Sequence, residues 1–160
     1  MGKTWVLVAD RVRARLFELD GGDVALAEIE SFVNPEGRAP SGSRGDTRPT
    51  RAIESVGGVR HAIEPHTTPE AKIAERFARR LHDALEQGRV QHRYDKLVLV
   101  APPRFLGALH GVADKNVLNL VAAEVRRNLT GKTPEQLCVH LGDLLGPRAR
   151  RASMRRGGAA

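Results

Sequence analysis

The sequence predicts an α/β fold in which a mixed β-sheet, begun by a β-meander and extended by βαβ units, is flanked by helices. Three features carry that expectation. Apolar runs of strand length open the chain, residues 69–87 repeat their apolar positions with the period of a helix, and a continuous apolar run at 96–101 reads as a central strand.

Lys3–Ala9 contains Trp5-Val6-Leu7-Val8-Ala9 and reads as a buried strand. Val12–Leu19 alternates in part, the turn Asp20-Gly21-Gly22-Asp23 follows, and Val24–Val33 makes a third strand, so the three form an antiparallel meander. Over 34–68 the periodicity vanishes. Nine of these 35 residues are Gly or Pro and five are Arg, the composition of a functional or disordered loop. In Pro69–Gln87, Ile73, Phe77, Leu81 and Leu85 recur every four residues beside Ala74, Ala78 and Ala84. Thr67 or Thr68 stands as N-cap, Pro69 suits the first helical position, and Gly88 is expected to end the helix.

Lys96–Ala101 is stopped by Pro102-Pro103 and reads as a strand covered on both faces. Short helices are expected over Pro103–Leu109 and Asp114–Leu120, with a weaker strand candidate at Val121–Asn128. Thr133 and Gln136 have capping-box spacing, so a last helix covers Pro134–Leu145 and Gly146-Pro147 closes it. A meander followed by two crossover units matches the ribonuclease-H-like arrangement. There the first strand and the two late strands are parallel neighbours, and their carboxyl ends open on one crevice. Those ends carry Asp10, Arg104 and Asn128-Leu129-Thr130, which makes Asp10, Arg104, Asn128 and Thr130 the predicted crevice residues.

Composition narrows the function. The chain has 26 Lys+Arg against 19 Asp+Glu, a formal charge of +7. Five of the cations, Arg148, Arg150, Arg151, Arg155 and Arg156, lie in residues 147–160, which contain no acid. The expected organisation is one α/β domain over 1–146 with the basic loop 34–68, followed by a disordered Arg-rich tail. Polyanion contact, with a ribosome or structured RNA as partner, is expected from that tail and from loop residues Arg38, Arg44, Arg48, Arg51 and Arg60. At 4% aromatic residues the chain has too few rings for a base-stacking platform. Cys138 is alone, which excludes an internal disulfide and a cysteine zinc cluster, and its neighbours Leu137, Val139 and Leu141 predict a buried, inert thiol. The first apolar run is too short for a signal sequence and none reaches a membrane span, so a cytoplasmic location is expected.

A metal-dependent nuclease of this fold needs several carboxylates around two divalent ions. Asp10 stands where the first belongs, but Ala101-Pro102-Pro103-Arg104 puts a cation where a ligand is needed, and Glu75 reads as exposed. An Asp10–Arg104 ion pair or hydrogen-bond network therefore outranks a nuclease or hydrolase built on these residues. Thr130-Gly131-Lys132-Thr133 resembles the end of a phosphate loop but lacks the earlier Gly and reads as a turn and cap. His61, Glu64 and His66 have no further ligands nearby. No metal or cofactor is expected.

Trp5-Val6-Leu7-Val8-Ala9-Asp10, Arg13-Ala14-Arg15-Leu16-Phe17, Leu97 to Gly107 with its Ala-Pro-Pro-Arg-Phe-Leu-Gly segment, Glu124-Val125 and Asn128-Leu129-Thr130 together resemble the bacterial host attachment proteins, over most of residues 3–142. That family resembles the bacterial relatives of the archaeal and eukaryotic peptide-chain release factors, which implies a ribonuclease-H-like central domain. In the factors, a loop after the third strand carries a Gly-Gly-Gln whose Gln helps water attack peptidyl-tRNA. Here Gly57-Gly58 is followed by Val59 and no Gln occurs in 34–68. The resemblance thus implies a release-factor-like domain that docks on ribosomes or RNA with little or no release chemistry. The family name implies an alternative, an attachment factor acting through protein contacts.

Overall fold

In β1 (Lys3–Ala9), Trp5, Leu7 and Ala9 point to one face and Val6 and Val8 to the other, and every one of them is at most 1% exposed. A strand buried on both faces must be central. The computed structural model, which describes residues 2–20, 25–38 and 68–145, places it there. Beside it run β2 (Arg13–Asp20), β3 (Ala27–Val33), β4 (Lys96–Val100) and β5 (Val121–Val125), in the order β3-β2-β1-β4-β5. The β1–β2 and β2–β3 pairs are antiparallel, whereas β1–β4 and β4–β5 are parallel, the meander and crossover pattern expected.

Helices cover both faces. On the first, α1 (Pro69–Val90) and α2 (Pro103–Val112) bring Phe77, Leu81, Leu85, Phe105, Leu106 and Leu109 against Trp5, Leu7, Leu97 and Leu99. The one-turn helix α3 (Lys115–Leu118) adds Val117. On the second face, α4 (Pro134–Leu145) sets Leu137, Cys138 and Leu141 on Val6, Val8, Val98 and Val100, and Cys138 is buried as expected. Each such leucine, removed from water, contributes about 1.5–3 kcal/mol.

Several boundaries differ from the sequence expectation: β3 begins at Ala27 rather than Val24, α3 ends at Leu118 rather than Leu120, and others carry a physical reason. The long helix does not end at Gly88 but runs to Val90. Gly88 is there because Trp5 lies against it, and a Cβ would sit 2.3 Å from Cη2 of the indole. The stop comes from His92, whose φ of 55° lets the His92 N–H bond to the Arg89 carbonyl and the Arg93 N–H to the Gly88 carbonyl, a Schellman closure. It leads into Tyr94, which stacks on Trp5 at 4.5 Å and donates its hydroxyl to the Leu85 carbonyl at 2.8 Å. Burial there pushes the phenol up to about 12.

The segment expected to lack periodic structure begins with a 3-10 turn at Pro35–Arg38. Asn34, 6% exposed, anchors it by donating Nδ2 to the Arg11 carbonyl at 2.8 Å and its N–H to the Val12 carbonyl at 2.7 Å. Finally, α2 reaches Val112 and β5 stops at Val125, because the Asn128 to Lys132 segment turns on its own hydrogen bonds. Among the described residues no helix is long and apolar enough to cross a membrane.

Candidate functional site

Because β1, β4 and β5 are parallel neighbours, the residues after them gather at one end of the sheet. A crevice of about 1190 Å³ opens there. Asp10, Arg11 and Asn128 form its polar wall, the first turns of α1 an apolar wall through Ala71 and Ala74, and Arg104 and Phe105 its edge at the start of α2. Three of the predicted crevice residues, Asp10, Asn128 and Thr130, are joined by hydrogen bonds.

Asp10 is the knot. Its Oδ1 accepts the Val12 and Arg13 backbone N–H groups, each at 2.8 Å, closing the turn between β1 and β2. Its Oδ2 accepts Asn128 Nδ2 at 3.1 Å. The Thr130 hydroxyl lies 3.1 Å from the same Oδ2 and 2.8 Å from Asn128 Oδ1, so its single proton serves one or the other. A carboxylate so engaged ties β1 to the chain beyond β5. Arg104 does not join it: neither the ion pair nor the hydrogen-bond network expected between Asp10 and Arg104 is present, and Asn128, Thr130 and two backbone N–H groups hold the carboxylate instead. Glu75, expected to be exposed, has a side chain 42% exposed on the crevice wall, where it pairs with Arg79 at 2.6 Å.

Arg15 supports this wall and was missed by the sequence reading. Its guanidinium forks onto Glu28, both contacts at 3.0 Å, and donates to the Thr130 and Lys132 carbonyls. The fork holds the Glu28 carboxyl below the usual carboxylate range. The partly alternating pattern of β2 could have flagged a polar residue facing the second core, but not its partners.

The crevice end is also cationic. Arg11 and Arg13 follow β1, Arg38 ends the 3-10 turn, Arg104 opens α2, and Arg126 and Arg127 follow β5. All six are exposed, and none forms an ion pair with a described carboxylate. Arg127 meets the His140 ring at 3.4 Å. The segment 39–67 leaves from Arg38 and returns at Thr68, which lines the crevice. Arg44, Arg48, Arg51 and Arg60, the Gly57-Gly58 pair, His61 and His66, and tail residues Arg148, Arg150, Arg151, Arg155 and Arg156 lie outside the described residues.

A second cluster, also missed, lies further along α1. His82 and Glu86, one turn apart, face Asp114, the N-cap of α3, and one ligating atom from each lies within 4.8 Å of the others. The Asp114 N–H donates to His82 Nε2 at 3.3 Å, and Asp114 Oδ2 stands 3.6 Å from the same nitrogen. Asp114 Oδ1 accepts the Val117 N–H at 2.9 Å, which holds its carboxyl below the usual range. Arg89 forks onto Glu86 at 2.7 and 2.8 Å, lowering that carboxyl likewise.

The family pattern described as "Protein required for attachment to host cells" matches residues 5–141, the sheet but for the first two residues of β1 and all but the end of α4. The chain belongs to this family. No curated protein matches this host-attachment family member in sequence. Among solved structures it is similar to the archaeal translation termination factor aRF1, with a TM-score of 0.52 at 11% identity, and to a structure described as an archaeal protein, with a TM-score of 0.53 at 10% identity. Each match covers 98% of this chain and 38% of the other, so the host-attachment chain spans well under half the length of either. At such identities the likeness is one of fold, the ribonuclease-H-like α/β arrangement of the release factor.

Proposed function

We propose that this host-attachment family member is a release-factor-like domain that docks on the ribosome or on structured RNA through its crevice end, without catalysing peptide release. The observation that carries the reading is the set of six exposed arginines, Arg11, Arg13, Arg38, Arg104, Arg126 and Arg127, with no described carboxylate paired to them. Arginines gathered at one end of a domain with no acidic partner among the described residues are suited to phosphate, and each contact releases condensed counterions. Arg44, Arg48, Arg51 and Arg60 add charge to a segment that springs from the same end, and the tail arginines add five more. The fold shared with a termination factor supports the direction of the reading. The absence of Gln from 34–68 removes the group that would position water on peptidyl-tRNA. Asp10, with both oxygens engaged, is a poor metal ligand for a nuclease.

Cosedimentation with ribosomes across a salt series tests this. Binding is expected at low salt and should weaken steeply as salt rises. Replacing Arg104, Arg126 and Arg127 together by Ala should lower the slope of log K against log salt by about 2–3. Failure to sediment at low salt, or binding indifferent to salt, overturns it. The family description favours a second reading, attachment through protein contacts. Unchanged attachment of cells lacking the protein would dispose of that reading.

A further inference from the structure

We propose that His82, Glu86 and Asp114 form a binding site for a divalent transition-metal ion of the zinc class, joining α1 to the start of α3. The residue types are the nitrogen and oxygen donors such an ion takes. His82 and Glu86 are separated by one helical turn and so share a face of α1, while Asp114 arrives from the end of α2.

The hydrogen bonds orient the donors. Because the Asp114 N–H reaches His82 Nε2, that nitrogen carries a lone pair toward Asp114, and the ring proton is on Nδ1, 3.6 Å from Asp83 Oδ1. Asp114 spends Oδ1 on the Val117 N–H, which leaves Oδ2 beside the same nitrogen, and a bound ion would take that lone pair in exchange for the 3.3 Å contact from the Asp114 N–H. Two acceptors thus oppose one another at 3.6 Å, with a second carboxylate within 4.8 Å. Bonds of about 2.1 Å in tetrahedral geometry put neighbouring ligand atoms about 3.4 Å apart, close to that spacing. Among the described residues Arg89 is the one cation paired to the group, and its fork takes one lone pair of each Glu86 oxygen, fixing the carboxylate while a second lone pair remains. With His82 neutral, Glu86, Asp114 and Arg89 sum to a net negative charge that favours a cation. The side chains of His82, Glu86 and Asp114 are 16%, 27% and 42% exposed, so an ion can enter from solvent and keep water in its fourth position.

The test is titration of the full-length, chelator-stripped protein with Co²⁺, followed by its visible absorption and by competition with Zn²⁺. One equivalent should bind with the bands of a low-coordinate site, and Zn²⁺ should displace it. His82→Ala should weaken binding about tenfold or more. Asp114→Asn should do the same while the protein still folds, because Asn caps a helix about as well as Asp. His140→Ala, distant from the cluster in sequence and paired with Arg127, should leave binding unchanged. Equal Co²⁺ affinity in wild type and Asp114→Asn overturns the proposal, as does a signal that survives His82→Ala or is lost with His140→Ala.

Discussion

Two carboxylate clusters in this molecule have opposite hydrogen-bond balance. Around Asp10 donors dominate: three N–H groups and a shared hydroxyl converge on two oxygens. Around Asp114 five acceptor atoms, from Asp114, Glu86 and the His82 ring, share the Val117 and Asp114 N–H groups and the Arg89 fork, and Oδ2 faces the His82 ring nitrogen with Glu86 beside them. Asp10 has the location of a catalytic group, at the mouth of a crevice, yet its oxygens are committed to holding the β1–β2 turn against the segment beyond β5. Asp114 has the modest location of a cap on a one-turn helix, yet retains an oxygen for a ligand. Position in a fold offers an opportunity for chemistry, and the count of donors and acceptors decides whether the side chain is available for it.

The largest expected effect breaks the first cluster. Asp10→Ala leaves the Val12 and Arg13 N–H groups and Asn128 without their acceptor, and should cost about 2–4 kcal/mol in urea denaturation. Asp10→Asn should fall between, since its carbonyl can keep the backbone donors while its amide faces the Asn128 amide. A loss below about 0.5 kcal/mol for the alanine variant would mean that Asp10 is no more a tie than Asp114. Asp114→Ala removes only a helix cap and should cost about 1 kcal/mol by the same measurement. A loss as large as that at Asp10 would erase the contrast.

The smallest effect is in acid. Asp114 titrates below its ordinary value of 3.8 in the folded protein, chiefly through the Val117 N–H, so its charged form favours folding. That contribution is complete above the ordinary value and is lost as pH falls through the lower, folded one. Metal-free wild type should therefore melt slightly above Asp114→Asn at neutral pH, and the gap should close below about pH 4. A gap that widened in acid would contradict the assigned contact.

Local chemistry was legible wherever neighbours in sequence are neighbours in space. Thr68 accepts the Ala71 N–H at 3.0 Å, and Thr133 and Gln136 exchange reciprocal bonds at 2.9 and 3.1 Å, as their spacing predicted. Gly88 shows the limit. Read locally it stops a helix, but its reason is an indole from β1, more than eighty positions earlier. The crevice was half legible: topology put Asp10, Asn128 and Thr130 at one end, while the expected Asp10–Arg104 contact did not form, because the Asp10 oxygens are taken by Asn128, Thr130 and the β1–β2 turn. Arg15 and the His82 cluster were not legible, since their partners lie on other elements and no spacing announces them.

Sequence alone specified the strands, the helices and the N-caps at Thr68 and Thr133, because periodicity and capping act over a few residues, and the element order specified the parallel run β1-β4-β5. Tertiary structure alone decided which polar groups are spent and which are free. The bonds from Asp10 to Asn128 and Thr130 span 118 and 120 positions, and that from Asp114 to His82 spans 32. Such contacts form only once helices and sheet have packed, at distances that hydrophobic burial fixes with no regard for order along the chain.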